Sequence, residues 1–265
     1  MSIFPLVLVG CGNMGAALIR GVRARFPQGE IRLVDPEAAK LQELQQAGVG
    51  EPSTFPTALV GAKTLVLAVK PQALGSVAAS LRPQLEASTL VVSILAGVSR
   101  ARLISELGTP RVARTMPNLP LMVGKGATGL ATDGLEAAEL AACRDLFGAA
   151  GSLVEVGESQ LDAVTGLSGS GPAYVLRFLQ ALEDGGVYSG LARPVSRELA
   201  MATLEGTLAL LRQTGLEPDV LRGQVTSPGG TTIHGLKALE EKSFYAAVME
   251  AVAAATKRSK ELGAM

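Results

Sequence analysis

Short runs of branched apolar residues recur along the first half of the chain. Between them lie stretches in which apolar residues return every three or four positions. Residues 6–9, 31–34, 64–69, 89–94 and 112–115 are the apolar runs. Their unbroken apolar character predicts strands buried on both faces. Residues 13–25, 37–47, 72–81 and 99–107 carry the helical period between them. That alternation predicts a parallel sheet covered by helices on both sides, a Rossmann-like doubly wound α/β fold. Residues 127–131 and 153–156 flank a further helical stretch at 135–147 and are expected at the sheet edge.

After about Gly157 the strand pattern stops. Val175, Leu176, Leu179 and Leu182 fall at helical spacing, as do Val195, Leu199 and Ala202, and then Phe244, Val248 and Val252. Pro172 and Pro194 suit the first turn of a helix, where a missing N–H costs nothing. The division expected is a dinucleotide-binding domain over residues 1–157 and an all-helical substrate-binding and dimerisation domain over 158–265. Helices so uniformly apolar must bury two faces, which points to a helical dimer interface.

Composition narrows the function. The chain has 265 residues, 48% hydrophobic and 18% charged, enough to bury a core. Lys plus Arg and Asp plus Glu are equal at 24 each, which leaves no electrostatic footprint for nucleic acid or an anionic membrane. The N-terminal stretch lacks a basic segment of the signal-peptide kind, and no apolar run has the length of a membrane span. Cys11 and Cys143 are too few for a disulfide framework. A cytoplasmic setting is expected. With His234 the only histidine, a His/Cys zinc site lacks ligands and no metal is expected.

The first chemical motif is Gly10-Cys11-Gly12-Asn13-Met14-Gly15, between the first strand and the first helix. Gly10 allows the tight turn, Gly12 lets backbone approach a pyrophosphate, and Gly15 lets helix pack on sheet. Asp35 follows at the end of the second strand, about 20 residues on, where a carboxylate can accept from a ribose 2′-OH. A carboxylate there disfavours a 2′-phosphate unless Arg32 swings toward it; the competing reading is that Asp35 caps the next helix. The loops Ala68-Val69-Lys70-Pro71-Gln72, Ser93-Ile94-Leu95-Ala96-Gly97 and Arg114 to Asn118 lie at strand ends, where open α/β sheets bind ligands. Lys70 reads equally as a cofactor contact or a solvated loop lysine, and Arg114 and Asn118 as loop-fixing residues.

Two motifs sit in the helical half. In Ser168-Gly-Ser170-Gly-Pro172, Ser170 suits a helix N-cap or an anion-holding turn. In Val225-Thr-Ser227-Pro-Gly229-Gly230-Thr231-Thr232-Ile233-His234, hydroxyls and free N–H groups converge where a helix begins. That is either a carboxylate cradle or an ordinary helix start capped by Thr231.

Together residues 10–15, 68–72, 116–118, 166–175 and 227–233 resemble the pyrroline-5-carboxylate reductase family, collinearly and over essentially the whole chain. The segment with T-S-P-G-G-T-T-I at its centre is the most specific part of the likeness. The resemblance implies NADPH- or NADH-dependent reduction of 1-pyrroline-5-carboxylate to L-proline, the last step of proline biosynthesis. It implies a helical homodimer and rings of dimers. By position it puts the cofactor on Gly10, Cys11, Gly12, Asn13, Met14, Ala68, Val69, Lys70, Pro71, Leu95 and Ala96. It puts the substrate on Gln224, Val225, Ser227, Gly230 and Thr231, and the Thr232 hydroxyl beside the ring nitrogen as the catalytic group. Asp35 departs from the family, which often has a small polar residue there and usually prefers NADPH. His234, on the following helix, is expected to be structural.

Two other classes share the Rossmann pattern. A β-hydroxyacid-dehydrogenase-like enzyme needs a catalytic lysine on a helix of the second half, and no lysine lies between Lys125 and Lys237. A non-catalytic nicotinamide sensor has no need of Ser227, Gly230 and Thr232 together.

Overall fold

A computed structural model describes residues 2–263 of the chain. These residues form two compact units, one of those up to Ser170 together with those from Ala253 on, and one of residues 171–252. In the first unit β1 (Leu6–Val9), α1 (Asn13–Arg25), β2 (Ile31–Val34), α2 (Ala38–Gln46) and β3 (Glu51–Pro52) are followed by β4 (Thr64–Leu67), α3 (Leu74–Leu81), β5 (Leu90–Ser93), α4 (Arg100–Leu107) and β6 (Val112–Met116). Then come β7 (Gly126–Ala131), α5 (Ala137–Gly148), β8 (Gly151–Val156) and the short α6 (Leu161–Val164). The second unit holds α7 (Gly171–Tyr188), α8 (Arg193–Thr214), α9 (Pro218–Gln224) and α10 (Thr231–Glu241). The last helix, α11 (Phe244–Gly263), divides between the two units at Ala253.

The eight strands form one sheet in the order β3-β2-β1-β4-β5-β6-β7-β8. All neighbours are parallel except β6 and β7. The strand order reverses at β1, so the crevice beyond the carboxyl ends of β1 and β4 is a topological switch point. The strand alternation sorts the core into two layers. Leu6 and Leu8 point to Leu18, Ile19 and Val22 of α1 and to Leu146 and Phe147 of α5. Val7 and Val9 point to Leu74, Ala78 and Leu81 of α3 and to Leu103 and Leu107 of α4. Fully burying each such side chain contributes about 1.5–3 kcal/mol.

The expected elements are present, and β7 and β8 take the sheet edge. Several details differ. β4 stops at Leu67 because Ala68 and Val69 turn off into a loop, and residues 71–73 form a 3-10 turn ahead of α3. Ser170 is not an N-cap: its backbone is helical and its N–H donates to the Thr165 carbonyl at 2.8 Å, closing a π-turn over Thr165–Gly169. Thr231 does not cap α10 either, since Gly230 holds the cap position and Thr231 is already helical.

In the second unit, Glu183, Ser196 and Ala200 are the buried residues among those described. The apolar positions that mark the helical period are open instead: Val175 is 55% exposed, Leu176 59% and Leu199 54%. A unit with so little buried surface has no core of its own, because a core of three residues cannot offset the entropy of ordering four helices.

Candidate active site

The glycine loop joins β1 to α1. Gly10 has φ +98°, and a Cβ there would lie 2.7 Å from the Ala68 carbonyl carbon, so only glycine fits. A Cβ on Gly15 would lie 2.4 Å from the Gly10 carbonyl oxygen. Gly12 has nothing within 4 Å of its would-be Cβ, so the space in front of it is open. Gly12 also caps α1 without a side-chain hydrogen bond, which leaves the N–H groups of the first turn free for an anion. Asn13 is exposed and Met14 half-buried beside this opening. The Cys11 side chain is buried, and burial, followed by the nearby Asp35 carboxylate, pushes its thiol up to about 12.

Asp35 lies at the end of β2, half-buried, and is fixed from two sides. Its Oδ2 accepts from the Cys11 N–H at 2.7 Å and its Oδ1 accepts from the Glu37 N–H at 2.8 Å. The carboxylate therefore sits on the glycine loop and also shapes the turn into α2. Arg32 does not swing toward this place. Its guanidinium donates to Glu30 and to the carbonyls of Ala58 and Val60, at 2.7, 3.0 and 2.6 Å.

Ala68, Val69, Lys70 and Pro71 follow β4, and Leu95 and Ala96 follow β5. The Leu95 side chain belongs to the core, so only its backbone faces the loop, whereas Ala96 is exposed. Lys70 is exposed, and its carbonyl accepts from the Ala73 N–H at 2.9 Å at the turn into α3. A cavity of about 360 Å³ opens between these loops, lined by Pro71, Gln72, Ala96, Gly97, Arg102 and Ser170 among others. A larger hollow of about 660 Å³ lies by the start of β2 and touches neither loop.

Asn118 braces this end of the sheet with both ends of its amide. It donates to the Ser168 carbonyl at 3.0 Å and accepts from the Ala127 N–H at 2.8 Å. Arg114 pairs with Glu158 at 3.2 Å, and Glu158 also accepts from the Arg100 N–H at 2.6 Å. These residues hold loops and do not present free chemistry. The sequence offered no sign of Glu158, because its partners lie 44 and 58 residues away along the chain.

In the second unit α9 ends at Gln224, and the loop through Val225 and Ser227 leads to Gly230 and α10. Gln224 and Val225 are exposed, as are Ser227 and Thr231, while Thr232 and Gly230 are half-buried. Gly229 takes φ +65°, a turn that brings the chain back so that the Gly230 N–H donates to the Ser227 carbonyl at 3.1 Å. A Cβ on Gly230 would strike the Ser227 hydroxyl. Backbone N–H groups of the first turn of α10 thus stand beside the hydroxyls of Ser227, Thr231 and Thr232, with no side-chain cap competing for them. His234 is turned to the backbone, with Nδ1 2.9 Å from the Gly230 carbonyl. A carbonyl only accepts, so Nδ1 carries the hydrogen.

Comparison with known proteins points the same way. A family model described as pyrroline-5-carboxylate reductase dimerisation matches residues 158–262. One described as NADP oxidoreductase, coenzyme F420-dependent, matches residues 5–97. A pyrroline-5-carboxylate reductase of Synechocystis is 43% identical over 274 residues, covering 99% of both chains. The structure of a pyrroline-5-carboxylate reductase from Coxiella burnetii superposes with a TM-score of 0.93 at 30% identity, over 98% of this chain and 99% of that one. A pyrroline carboxylate reductase from Plasmodium falciparum, determined with NADP bound, gives a TM-score of 0.85 at 31% identity over 97% of each chain.

Proposed function

The chain belongs to the pyrroline-5-carboxylate reductase family, and from that premise we propose how its residues reduce 1-pyrroline-5-carboxylate to L-proline with a reduced nicotinamide cofactor. The observation that carries the reading is the 43% identity to a reductase of that name, over 99% of both chains.

The residues fit a dinucleotide. Open space before Gly12, an uncapped helix start at Asn13 and the closeness of Gly10 to Ala68 make the usual cradle for a pyrophosphate. Gly10 to Met14 hold the phosphates, Asp35 the adenosine ribose, and the backbone from Ala68 to Pro71 with Leu95 and Ala96 borders the nicotinamide half. When bound, the cofactor supplies the hydride that the imine carbon accepts.

The substrate carboxylate is received by the Ser227 hydroxyl and the Thr231 N–H at the start of α10, beside Gly230 and bordered by Gln224 and Val225. A helix start with free donors favours an anion. The Thr232 hydroxyl is a poor acid near neutrality, so it accepts from the N–H of the iminium form and orients the ring. The proton arrives with the substrate or from water. Fixing the ring so that its imine carbon is aligned for transfer is the protein's main contribution to the rate.

The open apolar faces of the second unit support a homodimer built through it, with residues 158–265 as the substrate-binding and dimerisation region and residues 1–157 as the cofactor-binding one. Dimers then assemble into a ring. No helix among the described residues is long and apolar enough to cross a membrane. We place the reaction in the cytoplasm, where the free, buried thiols of Cys11 and Cys143 stay reduced.

A steady-state assay of the purified protein with 1-pyrroline-5-carboxylate, following oxidation of NADH and of NADPH in parallel, tests the reading. Turnover with either nucleotide is expected. Cofactor binding without turnover would overturn it in favour of a sensor.

A further inference from the structure

We propose that Asp35, assisted by Glu37, makes this chain select NADH over NADPH by excluding a phosphate from the ribose 2′ position. The proposal rests on placing the dinucleotide at the Gly10–Gly15 loop. It goes beyond that reading by choosing between the two cofactors.

The geometry is specific to a fixed carboxylate. Asp35 is held by the Cys11 N–H at 2.7 Å and by the Glu37 N–H at 2.8 Å, so it cannot rotate out of the way of a ligand on the glycine loop. A carboxylate offers about four lone-pair directions. Two are taken by backbone N–H groups, which leaves acceptor capacity for ribose hydroxyls. A 2′-phosphate brings nearly two negative charges near neutrality and no hydroxyl to donate at that position.

Binding such a group needs a free cation, and the cations nearby are committed. Lys40 in the first turn of α2 reaches the Glu37 carboxylate at 2.5 Å, and that hydrogen bond is the main cause of its raised pKa. Arg32 on β2 is spent on Glu30 and two carbonyls. Arg20 on α1 donates to Glu43 at 2.7 Å. Asp35 and Glu37 together outnumber Lys40, so the ribose end carries a net negative charge. Charge repulsion at close range in a partly buried place gives a discrimination of about 10-fold or more.

Equilibrium binding of NADH and of NADPH to the full-length protein, read by nicotinamide fluorescence and independent of turnover, tests this. ADP and its 2′-phosphorylated counterpart serve as competitors that report on the adenosine half alone. NADH is expected to bind at least about 10-fold more tightly. The gap should narrow as salt rises from 0.1 to 1 M, where the screening length falls from about 10 Å to about 3 Å. Asp35→Asn keeps the shape and removes the charge, and Asp35→Ser also makes room; both should tighten NADPH relative to NADH by about 5-fold or more. Equal or tighter NADPH binding by the unaltered protein would overturn the proposal. So would variants that weaken both nucleotides by one factor, which would mean that Asp35 only braces the loop. If a variant fails to fold, the salt dependence and the competitor pair still decide. A protein with the expected binding ratio that reduces no imine would sink the reductase reading and leave this one standing.

Discussion

Glu183 of α7 accepts from both Nε and Nη2 of Arg197 on α8, at 3.0 and 3.2 Å, and from Arg193 at 2.9 Å. It is one of the few buried side chains of the helical unit, 7% exposed. The hydrogen bonds from Arg197 and then Arg193 hold its carboxyl below the usual carboxylate range. A depressed folded pKa means stability that is fully present above the unfolded value of about 4.3 and is lost as pH falls through the folded value. Urea midpoints should therefore drop for the unaltered protein below about pH 4.3. Glu183→Gln should start lower at pH 7 and show a shallower acid slope, the two curves converging in acid. Parallel curves would show that the pair contributes nothing at the junction of α7 and α8.

How much of this was legible from the sequence depends on the range of the signal. The Gly10–Gly15 loop, the strand runs and the helix start at Gly230 are local patterns and stand where the sequence put them. Asp35 was legible as a position and, in the capping reading, as a residue turned toward the start of α2, where it accepts from the Glu37 N–H; its hold on the Cys11 N–H, 24 residues away, left no trace in the sequence. Arg32 looked free to reach a phosphate; its tethers lie 26 and 28 residues downstream. Ser170 and Thr231 look like N-caps by residue type, and a π-turn and a glycine displaced them from that role. The apolar periodicity of α7 and α8 correctly marked helices, yet it marked faces that this chain alone leaves uncovered.

Glycines of one motif should fail in different ways. Gly10→Ala forces a Cβ to within 2.7 Å of backbone at a positive φ, so it should destabilise the protein and abolish dinucleotide binding. Gly12→Val adds atoms into open space, so the melting temperature should change little while cofactor affinity falls by about 10-fold or more. Differential scanning calorimetry and nicotinamide fluorescence on the same samples separate the two. Loss of stability in Gly12→Val would contradict the open space before the loop.

The two thiols should be inert in the folded protein. Burial raises Cys143 to about 12, and burial with Asp35 raises Cys11 to about 12. At pH 8 the reactive thiolate is then a minute fraction of each. A chromogenic disulfide reagent should label neither in the native state and both after denaturation. Prompt native labelling of one site would place a thiol in solvent that the fold shows as buried.

Thr232 offers the sharpest test of the chemistry, because its hydroxyl is assigned one task. Thr232→Ala removes the group that orients the ring nitrogen while leaving the backbone donors of α10 in place. A hydrogen bond to a charged group at a reacting centre is worth about 1–3 kcal/mol, so kcat/KM should fall about 5- to 150-fold. Nicotinamide affinity should not move, since the cofactor is assigned to other residues. Thr232→Ser restores the hydroxyl without the methyl and should recover most of the rate, whereas Thr232→Val keeps the shape and should not. Because the hydroxyl is not the proton source, the pH profile of the alanine variant should keep the shape of the unaltered enzyme's and be displaced downward. A profile that loses its basic limb would make Thr232 part of a proton relay. An alanine variant of near-normal rate would remove it from the reaction altogether.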